Sequence, residues 1–118
     1  MSPSHAETYL IKRNPDQIEI TRATLERNGH SVRETADSLE KALALIPRIP
    51  ERAVVIVADN LGTSRRDGQA VASEIRKQIG NEVTIISHTK DGQPILRANY
   101  NSPERDGCQA LADIVTQA

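Results

Sequence analysis

The sequence predicts an α/β domain with a mostly parallel sheet and helices on both faces. Three observations carry that expectation. The first is an unbroken apolar run, Ala53-Val54-Val55-Ile56-Val57-Ala58, rich in β-branched residues and too short for a helix. Such a run fits a strand buried on both faces at the middle of a parallel sheet. The second is the alternation of short apolar runs with helical patterns in the order βαβαβαβ, which implies parallel strands joined by right-handed crossovers. The third is Asp59, a carboxylate where the central run would leave the sheet, followed by a polar loop from Asn60 to Arg66. In open α/β sheets, ligands and chemistry gather at the carboxyl ends of the strands.

Taken in order, residues 1–6 are expected to be a disordered lead-in and residues 7–118 a single domain. Thr8-Tyr9-Leu10-Ile11 is a short apolar strand followed directly by Lys12-Arg13. Asn14-Pro15 then reads as an N-cap and first-turn proline. Ile18, Ile20, Thr21 and Leu25 continue as a helical stripe that stops at Asn28-Gly29. His30 to Thr35 is a second strand, expected at an edge. Asp37 or Ser38 caps a second helix carrying Leu39, Ala42, Leu43 and Ile46, which Pro47 and Pro50 keep short. After the central strand, Asp67 caps a third helix whose buried face is Val71, Ala72, Ile75 and Ile79. Val83 to Ser87 is the next strand. Only HTKDGQP separates Ser87 from Ile95, and a parallel crossover needs roughly a dozen residues. Asp91-Gly92 is a hairpin signal, so Pro94 to Ala98 is expected to be an antiparallel edge strand. Ser102-Pro103-Glu104 opens the last helix, with Leu111, Ile114 and Val115 facing inward and Gly107 weakening its first turns.

The 118 residues suffice for one domain with a modest core. With 15 basic and 16 acidic side chains, no charge excess draws the chain to nucleic acid or to an anionic membrane. No apolar run approaches a membrane span. MSPSHAET lacks the apolar core of a signal peptide, so a cytoplasmic location is expected. The single cysteine, Cys108, excludes an internal disulfide framework and a multi-cysteine metal site, and reads as a small buried hydrophobe. His5, His30 and His88 do not form a metal-binding spacing. Phe and Trp are missing and Tyr occurs twice. The core must therefore come from Val, Ile, Leu and Ala, and stacking platforms for bases are nearly lacking.

The ordered set of segments resembles the receiver domain of two-component response regulators. TYLIKRNPDQIEITRATLERNGHSV has the cadence of that family's first strand, first helix and second strand. AVVIVADN with RRDGQAVASEIRK matches the third strand, the acceptor loop and the Asp-Gly start of the third helix. VTIIS matches the fourth strand with its terminal hydroxyl, and LRANYNSPE is similar to the fifth strand and the segment behind it. The resemblance implies a flavodoxin-like, CheY-like sheet of about five strands, the first four parallel, here with a hairpin in place of the fourth helix. It makes Asp59 the phosphoacceptor equivalent, or Asn60 if Gly68 sets the register, because the loop is one residue longer than the family's spacing. Ser87 takes the place of the switch hydroxyl. The invariant lysine falls at Ala98, with Lys90 in the turn as a substitute cation.

The family's acidic pair, which holds magnesium, falls on Lys12 and Arg13. Magnesium favours carboxylate, phosphate and water oxygens. Each cation placed about 4 Å from the metal at an effective dielectric of about 20 costs on the order of several kcal/mol, more than Asp59 alone recovers. Lys12 and Arg13 are expected either to pair with Asp59 as a cluster standing in for the metal or to lie in a solvated turn. The loop NLGTSRR, with Arg65 and Arg66, has groups that hold a phosphate but lacks a Walker or dinucleotide fingerprint.

The expected function is a non-catalytic pseudo-receiver, a protein–protein interaction module in signal transduction. It is expected to be no enzyme and to hold no metal or cofactor. Its partner would be a protein (a kinase, a regulator or a second copy of itself as a homodimer), with no nucleic acid and no membrane. Two alternatives stand beside it: an atypical receiver phosphorylated on Asp59, and a small-ligand or nucleotide-binding protein on the same scaffold.

Overall fold

The computed structural model describes residues 7–90 and 92–118; the expected lead-in and Asp91 of the expected hairpin turn lie outside the described residues. Strands β1 (Thr8–Ile11), β2 (Val32–Ala36), β3 (Val54–Val57), β4 (Thr84–Ser87) and β5 (Tyr100–Asn101) form one sheet in the spatial order β2-β1-β3-β4-β5. Every neighbouring pair is parallel. Helices α1 (Pro15–Arg27), α2 (Leu39–Leu45), α3 (Asp67–Gln78) and α4 (Gly107–Gln117) cover its faces.

The central run behaves as its composition demands. Side chains of a strand alternate between faces, and both faces here are apolar. Val54 and Ile56 join Ile18 and Leu25 of α1 and Leu111 and Val115 of α4 in one buried cluster. Val55 and Val57 join Leu45 of α2 and Val71, Ala72 and Ile75 of α3 in the other.

Local chemistry sets the helix ends. The Asn14 side chain accepts from the backbone N–H of Asp16 at 2.8 Å, and Pro15 stands at the first helical position, where its missing N–H costs nothing. Ser38, rather than Asp37, caps α2, its hydroxyl accepting from Lys41 N–H at 3.1 Å. Pro47 turns the end of that helix into a 3-10 turn, Ile46–Arg48. A second 3-10 turn, Glu104–Asp106, precedes α4, and Gly107 at φ 89 separates the two.

The expected antiparallel strand at Pro94 to Ala98 is not there. Those residues form no strand, and the fifth strand is Tyr100–Asn101, parallel to β4 through the pairs Ile86 with Tyr100 and Ser87 with Asn101. A parallel connection fits because the strand starts later than Ile95. Residues 88–99 are then the connection, long enough for a parallel crossover. No helix occurs among the described residues of that connection.

Side chains hold it instead. Arg76 of α3 donates to the carbonyls of Gly80 at 3.1 Å, Val83 at 2.6 Å and Arg97 at 3.0 Å, and to the Asn99 side chain at 2.8 Å. The Asn99 side-chain oxygen also accepts from Ile85 N–H at 2.8 Å, while Asn99 N–H donates to the Ile85 carbonyl at 2.7 Å. One asparagine thereby satisfies both main-chain groups of Ile85 where another strand residue would.

Ile95 is buried in the cluster shared with α3. It lies against Gly68, where a Cβ would collide with the Ala58 carbonyl oxygen and approach Ile95 Cδ1 to 2.8 Å. Part of that obstruction is backbone and cannot rotate away. Gly68→Ala should therefore cost about 3 kcal/mol of stability, measured by urea denaturation. A loss within error of zero would show that α3 can pull back from β3 freely.

Candidate functional site

The loops that follow β1, β3 and β4, with the segment behind β5, converge at the carboxyl end of the sheet. Asp59 follows Ala58 at the end of β3. It is half-buried; its carboxylate accepts from Asn60 N–H at 2.9 Å, and its carbonyl accepts from Gly68 N–H at 2.8 Å. A cavity of about 450 Å³ opens beside it, lined among others by Lys12, Arg13, Asn14, Asp59, Lys90 and Glu104. Asn60, the alternative acceptor position, also lines it, and its side chain accepts from Gly62 N–H at 2.8 Å.

Lys12 does not pair with Asp59. Its backbone N–H extends the β1–β2 ladder to the Ala36 carbonyl. Its side chain is only 3% exposed, and its ammonium lies 3.5 Å from the Glu104 carboxylate. The expected cluster of Lys12 and Arg13 with Asp59 is therefore corrected. Lys12 reaches across to the segment after β5, and Arg13 stays exposed with no ion pair among the described residues. Lys90 is exposed on the same wall and has no ion pair among the described residues.

Ser87 is buried at the end of β4, its hydroxyl accepting from Ile95 N–H at 3.0 Å. Ala98 lies before β5, packed against the apolar cluster, whereas the residues that leave β5 are Ser102 and Pro103. Ser102 is buried, and its hydroxyl has no hydrogen-bond partner among the described residues.

Sequence reasoning missed three residues here. Glu104 reads as part of a helix start, yet it supplies the carboxylate for Lys12. His88 reads as a stray histidine, yet its ring is buried and Nδ1 lies 2.7 Å from the Ser102 carbonyl oxygen. A carbonyl can only accept, so Nδ1 carries the proton. Burial, with Lys12 nearby, pushes the His88 pKa below 6.5, partly opposed by the Ser102 hydrogen bond and Glu104.

Asp67 is the third. It is not the cap of α3, whose N-cap is Arg66. One of its oxygens accepts from the N–H groups of Leu61, Thr63 and Ser64 at 2.8, 2.9 and 3.0 Å, and the other accepts from the Thr63 hydroxyl. Burial pushes the Asp67 carboxyl up, but these donors outweigh it and hold the pKa at about 2. The acceptor loop is thus wound around one buried anion. The Asp-Gly pair with hydroxyls upstream was the available signal, and it also fits an ordinary N-cap.

The magnesium ion that the receiver resemblance implies does not fit these side chains. Its carboxylates would be Asp59 and Glu104, and Lys12 occupies Glu104. Among the described residues no group of three or more His, Cys, Asp and Glu side chains could hold a metal.

Asp67→Asn should lower stability by about 2 kcal/mol at neutral pH, from the shift to about 2 at 1.36 kcal/mol per pH unit. The Asp67 contribution is complete above its ordinary value of 3.8 and is lost as pH falls through about 2. The slope of stability over that range should therefore be shallower in the variant. His88 acts with the opposite protonation but the same slope. Its unfolded form takes a proton below 6.5 that the folded form resists, so stability falls on acidification through that range, and less so in His88→Gln. For the ion pair, Glu104→Ala should cost about 1–3 kcal/mol by leaving a buried ammonium alone, while Lys12→Met should be close to neutral. Chemical denaturation across pH measures all four.

No protein-family model matches the chain, and no curated protein sequence does. Solved structures do. The receiver domain of a sensor histidine kinase from Pseudomonas aeruginosa, described with a magnesium ion coordinated in its active-site cleft, aligns at TM-score 0.79 and 21% identity over 97% of both chains. A CheY-like response regulator receiver domain from Methanospirillum hungatei aligns at TM-score 0.78 and 15% identity, covering 97% of this chain and 93% of its own. The receiver domain of a DNA-binding response regulator from Colwellia psychrerythraea aligns at TM-score 0.76 and 15% identity, covering 95% of this chain and 96% of its own. At these identities the likeness is one of fold, and this chain has the receiver fold.

Proposed function

We propose, with the receiver fold as the premise, that this chain is a non-catalytic pseudo-receiver: an interaction module in a signalling system that does not accept phosphate on Asp59 with magnesium. The observation that carries the reading is Lys12, buried at the end of β1 and paired with Glu104. The resemblance expects a metal-binding carboxylate at that place. Metal-assisted phosphoryl transfer uses the ion to neutralise charge that builds on the phosphoryl oxygens. Here a side-chain ammonium stands there, fixed to the protein and unable to bridge Asp59 to a phosphoryl group as a metal does. Arg13 follows it, and Ser102 rather than a lysine leaves β5.

The output of such a module is binding. Its partner is a protein, a kinase, a regulator or a second copy. Leu96 and Tyr100, two of the large exposed apolar side chains, stand at the β5 side of the sheet, where a partner can cover them. No helix among the described residues is long and apolar enough to cross a membrane.

Beryllofluoride with magnesium mimics an acyl phosphate and tests the reading. The expected result is no change in the amide NMR signals of Asp59 and Ser87 at saturating reagent. Shifts at both residues that vanish in Asp59→Asn would overturn it and establish Asp59 as a working acceptor.

A further inference from the structure

The cavity beside Asp59 has a charge pattern that a protein-docking role does not require. Its volume of about 450 Å³ lies in the range of small-molecule sites. Three cationic side chains line it, Lys12, Arg13 and Lys90, against the carboxylates of Asp59 and Glu104. Glu104 is engaged by Lys12, which leaves Arg13 and Lys90 without an ion pair among the described residues. Lys12 meets the Glu104 carboxylate at 3.5 Å. An ammonium carries three donors, so an oxyanion entering the cavity would supply further acceptors.

On the other side of Asp59, a second cavity of about 310 Å³ is lined by Arg65 and Arg66, whose guanidinium groups have no ion pair among the described residues. This end of the sheet is therefore positive, although the chain as a whole carries a net charge of −1.

We propose that the larger cavity binds a small molecule bearing a phosphate or carboxylate group. The anionic group sits among Arg13, Lys90 and Lys12. Arginine offers a planar fork to two of its oxygens, and the lysines act as point charges. Asp59 faces the same space and repels a bare anion, so it selects a molecule that carries a hydroxyl or N–H donor beside its anionic group. Where the resemblance expects acids around a cation, this chain arranges cations around an anion. The inference is independent of the docking reading, because either can hold without the other.

Inorganic phosphate, titrated in the presence of EDTA at constant ionic strength and followed by amide NMR, tests it free of any metal. The expected result is saturable shifts at Arg13, Asn14, Asp59, Asn60 and Lys90. Arg13→Gln and Lys90→Gln should each weaken binding by roughly five-fold or more, as charge-assisted hydrogen bonds are lost. Both side chains are exposed, and an unchanged melting temperature would confirm that each variant is folded. Asp59→Asn should tighten phosphate binding by removing the repelling charge, an effect that a purely structural Asp59 would not produce. Shifts that fail to saturate, that spread over surface cations elsewhere, or that ignore these substitutions would overturn the proposal. So would shifts given by a glutamate-rich peptide and not by phosphate, which would make the cations part of a protein-binding rim.

Discussion

The close approach of α3 to the end of β3 is the constraint on which the carboxyl end of the sheet depends. Gly68 makes it possible by having no side chain, and its N–H ties the helix to the Asp59 carbonyl at 2.8 Å. Asp67, the residue before Gly68, gathers the preceding loop around its carboxylate. Ile95 from the β4–β5 connection packs onto the same glycine. Two connections, β3–α3 and β4–β5, are thereby fixed by two adjacent residues, one chosen for its size and one for its charge. Asp59 is held in place by its neighbours' backbone, and among the described residues its own carboxylate keeps only a local hydrogen bond.

Around that fixed point the charges are transposed relative to what the receiver resemblance implies. The family places acids after its first strand and a lysine after its fifth. This chain places Lys12 after β1 and Glu104 after β5, joined at 3.5 Å. One ion pair thus links the end of β1 to the segment after the edge strand β5. A buried pair of this kind contributes little net stability, because desolvation offsets the attraction. What it does is tie the end of β1 to the segment after β5, with Arg13, Lys90 and Asp59 as the other charges lining the cavity.

Much of the fold was legible because it follows from periodicity and caps. The order of elements through β4, the Asn14-Pro15 start of α1 and the Asn28-Gly29 stop are local in origin, and local sequence carries them. The β4–β5 region was not legible for a physical reason. Tyr100–Asn101 is too short to leave a hydrophobic pattern, and the groups that stabilise the connection, Arg76 and Asn99, lie 23 residues apart in sequence. Nothing near Asn99 indicates that its amide will substitute for main chain. The same applies to the site. The positions of Lys12, Arg13 and Asp59 could be read from the order of segments, whereas the choice of Glu104 over Asp59 as the partner of Lys12 depends on three-dimensional reach.

The brevity of β5 also bears on how this domain avoids sticking to itself. A sheet edge with unpaired main-chain groups invites another strand, and long flat edges seed aggregates. One rim here offers only two residues, Tyr100 and Asn101, before Pro103 removes the next-but-one donor. The opposite rim, β2, carries Arg33 and Glu34 in its middle, charges that an incoming strand would have to accommodate. Both borders of the sheet are thus poor templates, and the strongly apolar strands β3 and β4 remain shielded in the interior, away from any chain that could copy them.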